Sequence, residues 1–171
     1  KRLLGAIAVF REPMPLEAIS DIDAETDLLD GLVEKGLARQ ADSDNYDVHD
    51  LVREFLTRSM DESLRQELHS NAKSWYRARH GIAAERIEYI HHLNESGDTE
   101  GLAEVLSTEG HSLVRAGHTE LLGILRPLEG QSFDPPSWCI IRELRGDILS
   151  IQGRWDEAEA EYEAAIPLAR K

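Results

Sequence analysis

The chain has 171 residues and a net charge of −14, with 33 Asp and Glu against 19 Lys and Arg. A grip on a nucleic-acid backbone or an anionic membrane needs concentrated cationic charge, so both are poor partners for it. A single cysteine excludes an internal disulfide framework, and no apolar run reaches the roughly 20 residues that cross a bilayer.

The charge is spread evenly. Residues 1–61 carry 7 basic against 14 acidic groups, and residues 62–171 carry 12 against 19. Leu, Ala, Glu and Arg are abundant while β-branched and aromatic residues are sparse, which favours helix. The lone thiol and the lack of a signal-peptide pattern point to the cytoplasm. The chain opens in a helical pattern without an initiator Met, as a fragment of a longer protein would.

Leu3, Leu4, Ile7 and Ala8 form an apolar helical stripe that Pro13 and Pro15 close. Leu16 to Ile19 is a short second helix. Asp23 is the expected cap of a third, with Leu28, Leu29, Leu32 and Val33 facing inward and Gly36 ending it. Runs from Leu37 to Gln40 and from Tyr46 to His49 flank the polar turn Asp42-Ser43-Asp44-Asn45, the pattern of a β-hairpin wing. Asp50 is the expected cap of a fourth helix through Leu51, Val52, Phe55 and Leu56. Together these elements predict a winged helix-turn-helix domain over residues 1–61. Its third helix carries Asp23, Glu25, Asp27, Asp30 and Glu34 against the single base Lys35, and Asp42, Asp44 and Asp47 flank the wing. Carboxylates so placed oppose phosphates, which favours a scaffold role over DNA recognition.

Beyond residue 61 the pattern changes to helical hairpins. Gly81, Gly117 and Gly153 recur at intervals of 36 residues, the period of a helical-repeat array. The first hairpin runs over about 62–80, through Leu64, Leu68, Ala72, Trp75 and Tyr76, and back over about 83–96 through Ile87, Ile90 and Leu93. The second starts at Asp98, passes Leu102, Val105, Leu106, Leu113 and Val114 to Gly117, and returns through Leu121, Leu122 and Leu125; Gly110 predicts a kink in it. Pro135 and Pro136 start the third, which passes Trp138, Ile141, Leu144, Ile148 and Leu149 to Gly153 and returns through Ala158, Tyr162, Ala165 and Ile166. In it Ala158 and Ala165 allow close approach while Trp155 and Tyr162 are expected to fill the wider gaps. The fold expected is mainly α: a winged helix-turn-helix domain, residues 1–61, followed by a right-handed superhelix of antiparallel hairpins, residues 62–171.

Residues 139–171 resemble a tetratricopeptide repeat. Gly146, Gly153, Trp155, Ala158, Tyr162 and Ala165 occupy that family's small, turn, aromatic and alanine positions in register, while Arg142 and Arg145 stand where it prefers Trp and Leu. The earlier hairpins match only as degenerate repeats, with Arg86 at the place corresponding to Ala158. The whole chain is also similar to a region of the large signal-transduction ATPases of the maltose-operon activator type. The likeness rests on Leu28 to Leu37, on Tyr46 to Leu56, on Trp75-Tyr76 with Gly81, on Ala84 to Ile90, and on Gly97-Asp98. It implies a winged domain that follows a nucleotide-binding core and leads into repeats serving as a sensor or partner-binding arm. It also links His49, in the wing-to-helix junction, to nucleotide sensing in the intact protein, since a His in this part of the family's winged domain can face the nucleotide pocket; the alternative is that its ring packs under the wing. No phosphate loop ending in Gly-Lys-Ser/Thr occurs in the chain, so the resemblance implies neither nucleotide hydrolysis by these residues nor a bound cofactor.

Other chemistry has bland explanations beside it. His91 and His92 share an α-helix with Glu88 and Glu95, so Glu88 with His92, or His91 with Glu95, could hold a metal; the spacing is not His-Glu-x-x-His, and structural histidines are expected instead. His111 and His118 flank a turn. Cys139 sits in an apolar run as a small buried hydrophobe, and Asp156, Glu157, Glu159, Glu161 and Glu163 make a solvated acidic stripe on the last helix. The function expected is that of a non-catalytic regulatory and protein-interaction module, no enzyme. Its partner would be a protein or a neighbouring ATPase domain, with a small-molecule effector on the repeats as a further ligand class. Ile140, Glu143, Asp147 and Ile151, on the first helix of the last repeat, are the expected contacts. The alternative is a DNA-binding regulator that uses the winged helix.

Overall fold

The computed structural model describes residues 2–19, 26–79, 82–129 and 131–169, without the side chains of Thr26 and Asp27. The protein is mainly helical, with one small sheet among the described residues. It divides into two compact units, Lys1–Gly97 and Asp98–Lys171. The division lies one hairpin beyond the change of pattern at residue 61.

The first unit begins with α1 (Arg2–Ala8), whose Leu3, Leu4, Ile7 and Ala8 are all buried as the stripe requires. Strand β1 (Met14–Pro15) and a 3-10 turn (Leu16–Ile19) follow. Next come α2 (Thr26–Glu34), β2 (Arg39–Gln40), β3 (Asn45–Asp47) and α3 (Asp50–Ser59). The sheet is antiparallel in the order β1-β3-β2, with Met14 opposite Tyr46 and Arg39 opposite Asp47. Pro15 is tolerated because β1 is an edge strand, where a missing N–H breaks no ladder bond. The Asp42 carboxylate closes the turn by accepting from the N–H groups of Asp44 (3.0 Å) and Asn45 (2.9 Å) and from the Asn45 side-chain amide.

Several apolar residues face other ways than their spacing suggested. Leu29 is buried but Leu28 is half exposed, so the inner stripe of α2 runs through Leu29, Leu32 and Val33. On α3, Leu56 points to the core while Leu51 and Phe55, one turn apart, stand about 70% exposed, at 71% and 69%. Asp50 is not the cap of α3. The preceding His49 is, its Nδ1 accepting from the Leu51 N–H at 3.4 Å, and Asp50 occupies the first turn, where its charge suits the helix dipole. The expected cap Asp23 and the turn glycine Gly81 lie outside the described residues.

Helices α4 (Glu62–Arg77) and α5 (Ala83–Glu95) complete the unit as an antiparallel pair, α4 packing on α1 and on the 3-10 turn. Asp61 caps α4 by accepting from the Leu64 N–H at 2.8 Å. Leu68, Ala72, Ile87, Ile90 and Leu93 are buried where the two meet.

The second unit starts with Asp98, which caps α6 (Thr99–Val105) through the Gly101 N–H. The helix is not broken at Gly110. A π turn (Leu106–Gly110) carries it into α7 (His111–Arg115), and the missing side chain of Gly110 admits Leu144, whose Cδ1 would lie 2.6 Å from a Cβ there. Gly117, with φ of +95°, ends α7 in the left-handed region open to glycine. A short α8 (Leu121–Leu125) and a 3-10 turn (Arg126–Leu128) follow. Then α9 (Pro135–Ile151) is capped by Asp134, with Pro in its first turn, and pairs with α10 (Trp155–Ala165). Leu102, Leu106, Leu121, Leu125, Leu144 and Ile148 make the core. Ala158 and Ala165 are buried between α9 and α10, but Trp155 (67%) and Ile166 (52%) are exposed, so of the two expected gap-fillers only Tyr162 reaches into the pair.

Candidate functional site

The wing-to-helix junction is organised by a buried carboxylate. Asp47, only 5% exposed, accepts from Arg39 Nη2 (2.5 Å), Arg53 Nη2 (2.5 Å) and the Val48 N–H (2.8 Å). Arg53 in turn donates to the Ala8 carbonyl at 2.9 Å, so the sheet, α3 and α1 are tied through one guanidinium. Burial alone would push the Asp47 carboxyl up; the hydrogen bonds from Arg39 and Val48 and the charges of Arg53 and Arg39 overcome it and hold it below the ordinary carboxylate range. Asp47 therefore does not present a charge to solvent, contrary to its place among the acidic groups flanking the wing. Asp42 and Asp44 remain exposed, as do Asp30 and Glu34 on α2. Next to this centre His49 is exposed, its ring used as a cap rather than packed under the wing.

On α9 the four expected contact residues share one face but differ in freedom. Ile151 is 56% exposed and Ile140 half-buried. Glu143 and Asp147 are engaged by neighbours: His111 Nδ1 lies 3.3 Å from Asp147 Oδ2, its Nε2 lies 3.7 Å from Glu143 Oε2, and the Tyr162 hydroxyl donates to Asp147 Oδ1 at 2.8 Å. A partner at this face would meet a preformed His-Glu-Asp-Tyr cluster instead of two free carboxylates.

Arg145 explains a departure from the repeat pattern. It is 1% exposed, and it donates from Nε to the Leu125 carbonyl at 3.1 Å, from Nη2 to the same oxygen and to the Arg126 carbonyl at 3.2 Å, and from Nη1 to Glu129 at 2.8 Å. It thus adds a charged donor to the carbonyls where α8 passes into the 3-10 turn, which a Leu could not. Arg142 pairs with Glu161 at 2.8 Å, so that acid belongs to the hairpin and not to a free acidic stripe; Glu157 is likewise held by Arg154 and Arg126. The Cys139 thiol is buried, with Sγ 3.6 Å from Glu143 Oε1; burial, then the Glu143 charge, raises its pKa and keeps it protonated.

The densest cluster of chemistry-bearing side chains is in the first unit, and sequence spacing missed it. His69 on α4 and His91 and His92 on α5 meet, with one ring nitrogen of each within 4.8 Å of the others. The rings of His69 and His92 are in contact through their Nδ1 atoms at 2.8 Å. Phe10 (5.5 Å, edge-on) and Tyr76 (5.4 Å, stacked) pack on the His92 ring. Burial first, then the charge of a nearby arginine, lowers the pKa of His69 to about 4 and of His91 to about 3; burial, then the neighbouring His91 and His69, holds His92 well below the ordinary imidazole value. The carboxylates that spacing paired with these histidines are used elsewhere: Glu88 by Arg11 at 2.6 Å, Glu95 by Arg65. What spacing could have shown is that His69 lies three and seven residues before Ala72 and Tyr76, on the same buried stripe.

A cleft of about 320 Å³ opens between α1, the 3-10 turn and α4, lined by Phe10, Glu17, Ile19, Leu68, Asn71 and Trp75 among others. None of the residues expected from the sequence to carry function lines it. Among the described residues no helix is long and apolar enough to cross a membrane. No protein-family model, curated protein or solved structure matches the chain, so function must be argued from its own residues.

Proposed function

We propose that the chain is a non-catalytic regulatory and protein-interaction module, part of a larger signalling ATPase or transcription regulator. Residues 1–61 act in it as a winged-helix-like coupling domain, and the hairpins that follow form a repeat arm. The carrying observation is the α9–α10 hairpin, in which Gly146, Ala158 and Ala165 provide the close approach, Tyr162 fills the gap, and Gly153 (φ +74°) makes the turn. Interlock of this kind builds stacked surfaces for other molecules. The order of elements around β1-β3-β2 supports the winged-helix part, since the strand between the first two helices joins the hairpin at β3.

The partner is a protein surface, with an effector on the arm as a further ligand class. Occupation of the α9 face around Ile140, Glu143, Asp147 and Ile151 would bias how the winged-helix-like part docks on its neighbour. His49, exposed at the start of α3, would be the residue that senses a nucleotide held by that neighbour.

Fluorescence anisotropy with random duplex DNA over a salt series separates this proposal from a DNA-binding regulator. No binding is expected at moderate salt, because Asp30, Glu34, Asp42 and Asp44 remain at the surface of α2 and the wing. Retention at moderate salt would instead favour DNA recognition.

A further inference from the structure

We propose that His69, His91 and His92 form a three-histidine binding site for a divalent transition-metal ion of the zinc class. The inference is independent of the functional proposal above.

The three rings already converge, one nitrogen of each lying within 4.8 Å of the others, and side-chain rotation has to bring them to the spacing of a common ion. A zinc–nitrogen bond of about 2.0–2.1 Å sets an imidazole centroid about 3.2 Å from the ion, so three rings at tetrahedral angles stand about 5.2 Å apart. The ring centroids here are separated by 5.7 Å (His69 and His91), 5.0 Å (His69 and His92) and 5.1 Å (His91 and His92). Two ligand nitrogens on one such ion lie about 3.3 Å apart. The His69 and His92 Nδ1 atoms, at 2.8 Å, need only open by a few tenths of an ångström, or His92 can present Nε2.

A second observation points to a ligand. His92 Nε2 is the one buried side-chain nitrogen or oxygen among the described residues without a hydrogen-bond partner, on a ring that is 0% exposed. If Nδ1 donates to His69, Nε2 is a lone pair facing nothing; if Nδ1 accepts, Nε2–H is an unmatched donor. Either costs free energy that coordination through Nε2 would remove.

The surroundings suit a cation of this class. The nearest cations are offset by carboxylates, Arg11 by Glu88 and Arg65 by Glu62 and Glu95. Three imidazoles with no carboxylate among them select zinc, cobalt, nickel or copper over magnesium and calcium. His91 is the one partly exposed ring of the three, which gives an ion a route in and leaves the fourth position to water. An ion bound there staples α4 to α5 and adds its binding free energy to the stability of the first unit.

The test uses the 171-residue chain, stripped with a chelator and titrated calorimetrically with zinc chloride. One zinc per chain is expected, with a higher melting temperature in zinc and no response to magnesium. Cobalt chloride should give the visible absorption of a tetrahedral nitrogen-ligated centre. His91→Gln, at the partly exposed position, should weaken zinc binding by more than the roughly 10–100-fold that losing an outer partner of a metal ligand costs. If that variant or His92→Gln fails to fold, proton NMR of the cobalt-loaded wild-type chain decides, since three histidine rings should carry paramagnetically shifted resonances. Absence of stoichiometric zinc, an unchanged affinity and cobalt spectrum in folded His91→Gln, or shifted resonances from fewer than three rings would overturn the proposal.

Discussion

Tyr162 lies in the space that a side chain at position 146 would occupy: a Cβ on Gly146 would stand 2.8 Å from both Cδ1 and Cζ of the ring. No Cβ of a well-packed interior sits so close, so α9 and α10 can approach as they do only with glycine there. Gly146→Ala should destabilise the second unit by about 1–3 kcal/mol, read as a lower urea midpoint. Tyr162→Leu in the same chain should recover part of that loss, because the two changes share one space.

Arg145→Met should cost about 1–3 kcal/mol or more despite matching the apolar character of the repeat pattern, since the Leu125 and Arg126 carbonyls lose their buried donor. Arg145→Lys should not restore it, because an ammonium cannot reproduce the fork that meets Leu125, Arg126 and Glu129 together. Thermal unfolding of the two variants beside wild type checks both statements.

Asp47→Asn should destabilise the first unit by about 1.5–3 kcal/mol through loss of charged hydrogen bonds to Arg39 and Arg53. The sign of the pH effect follows from the lowered folded-state pKa. The Asp47 contribution is complete above the ordinary carboxylate value of 3.8 and is lost as pH falls from there through the lower folded value. Wild type and Asp47→Asn should therefore converge in stability at strongly acid pH, as followed by circular dichroism.

Gly153 and Gly123 should respond in opposite directions to the same change. Gly153 has φ of +74°, so Gly153→Ala should cost about 1–2 kcal/mol from left-handed strain alone. Gly123 lies within α8 with nothing near its missing side chain, so Gly123→Ala should stabilise by about 0.5–1 kcal/mol. Paired urea titrations read both.

Much of this was written locally in the chain. Helices α4, α5, α9 and α10 lie within a few residues of where 3.6-residue periodicity, Pro135 and Gly153 put them. What periodicity could not show depends on residues far apart. Strand β1 is two residues long with a proline, and it exists only because Met14 and Pro15 pair with β3, 30 residues or more away. Leu51 and Phe55 keep a helical spacing but face outward, since α1 covers only the side of α3 that holds Leu56. The histidine cluster needed α4 folded against α5 before His69 could meet its partners 22 and 23 residues on. Arg145 breaks the apolar pattern for the sake of carbonyls 19 and 20 residues earlier.

The central claim is that these residues are the regulatory arm of a larger signalling protein, and the most direct measurement of it is the sequence of the natural reading frame upstream of Lys1. A nucleotide-binding domain with a glycine-rich loop ending in Gly-Lys-Ser/Thr, in frame and immediately before Lys1, is the predicted result. A frame that begins at this point, or that leads in from a domain with no nucleotide site, would contradict it.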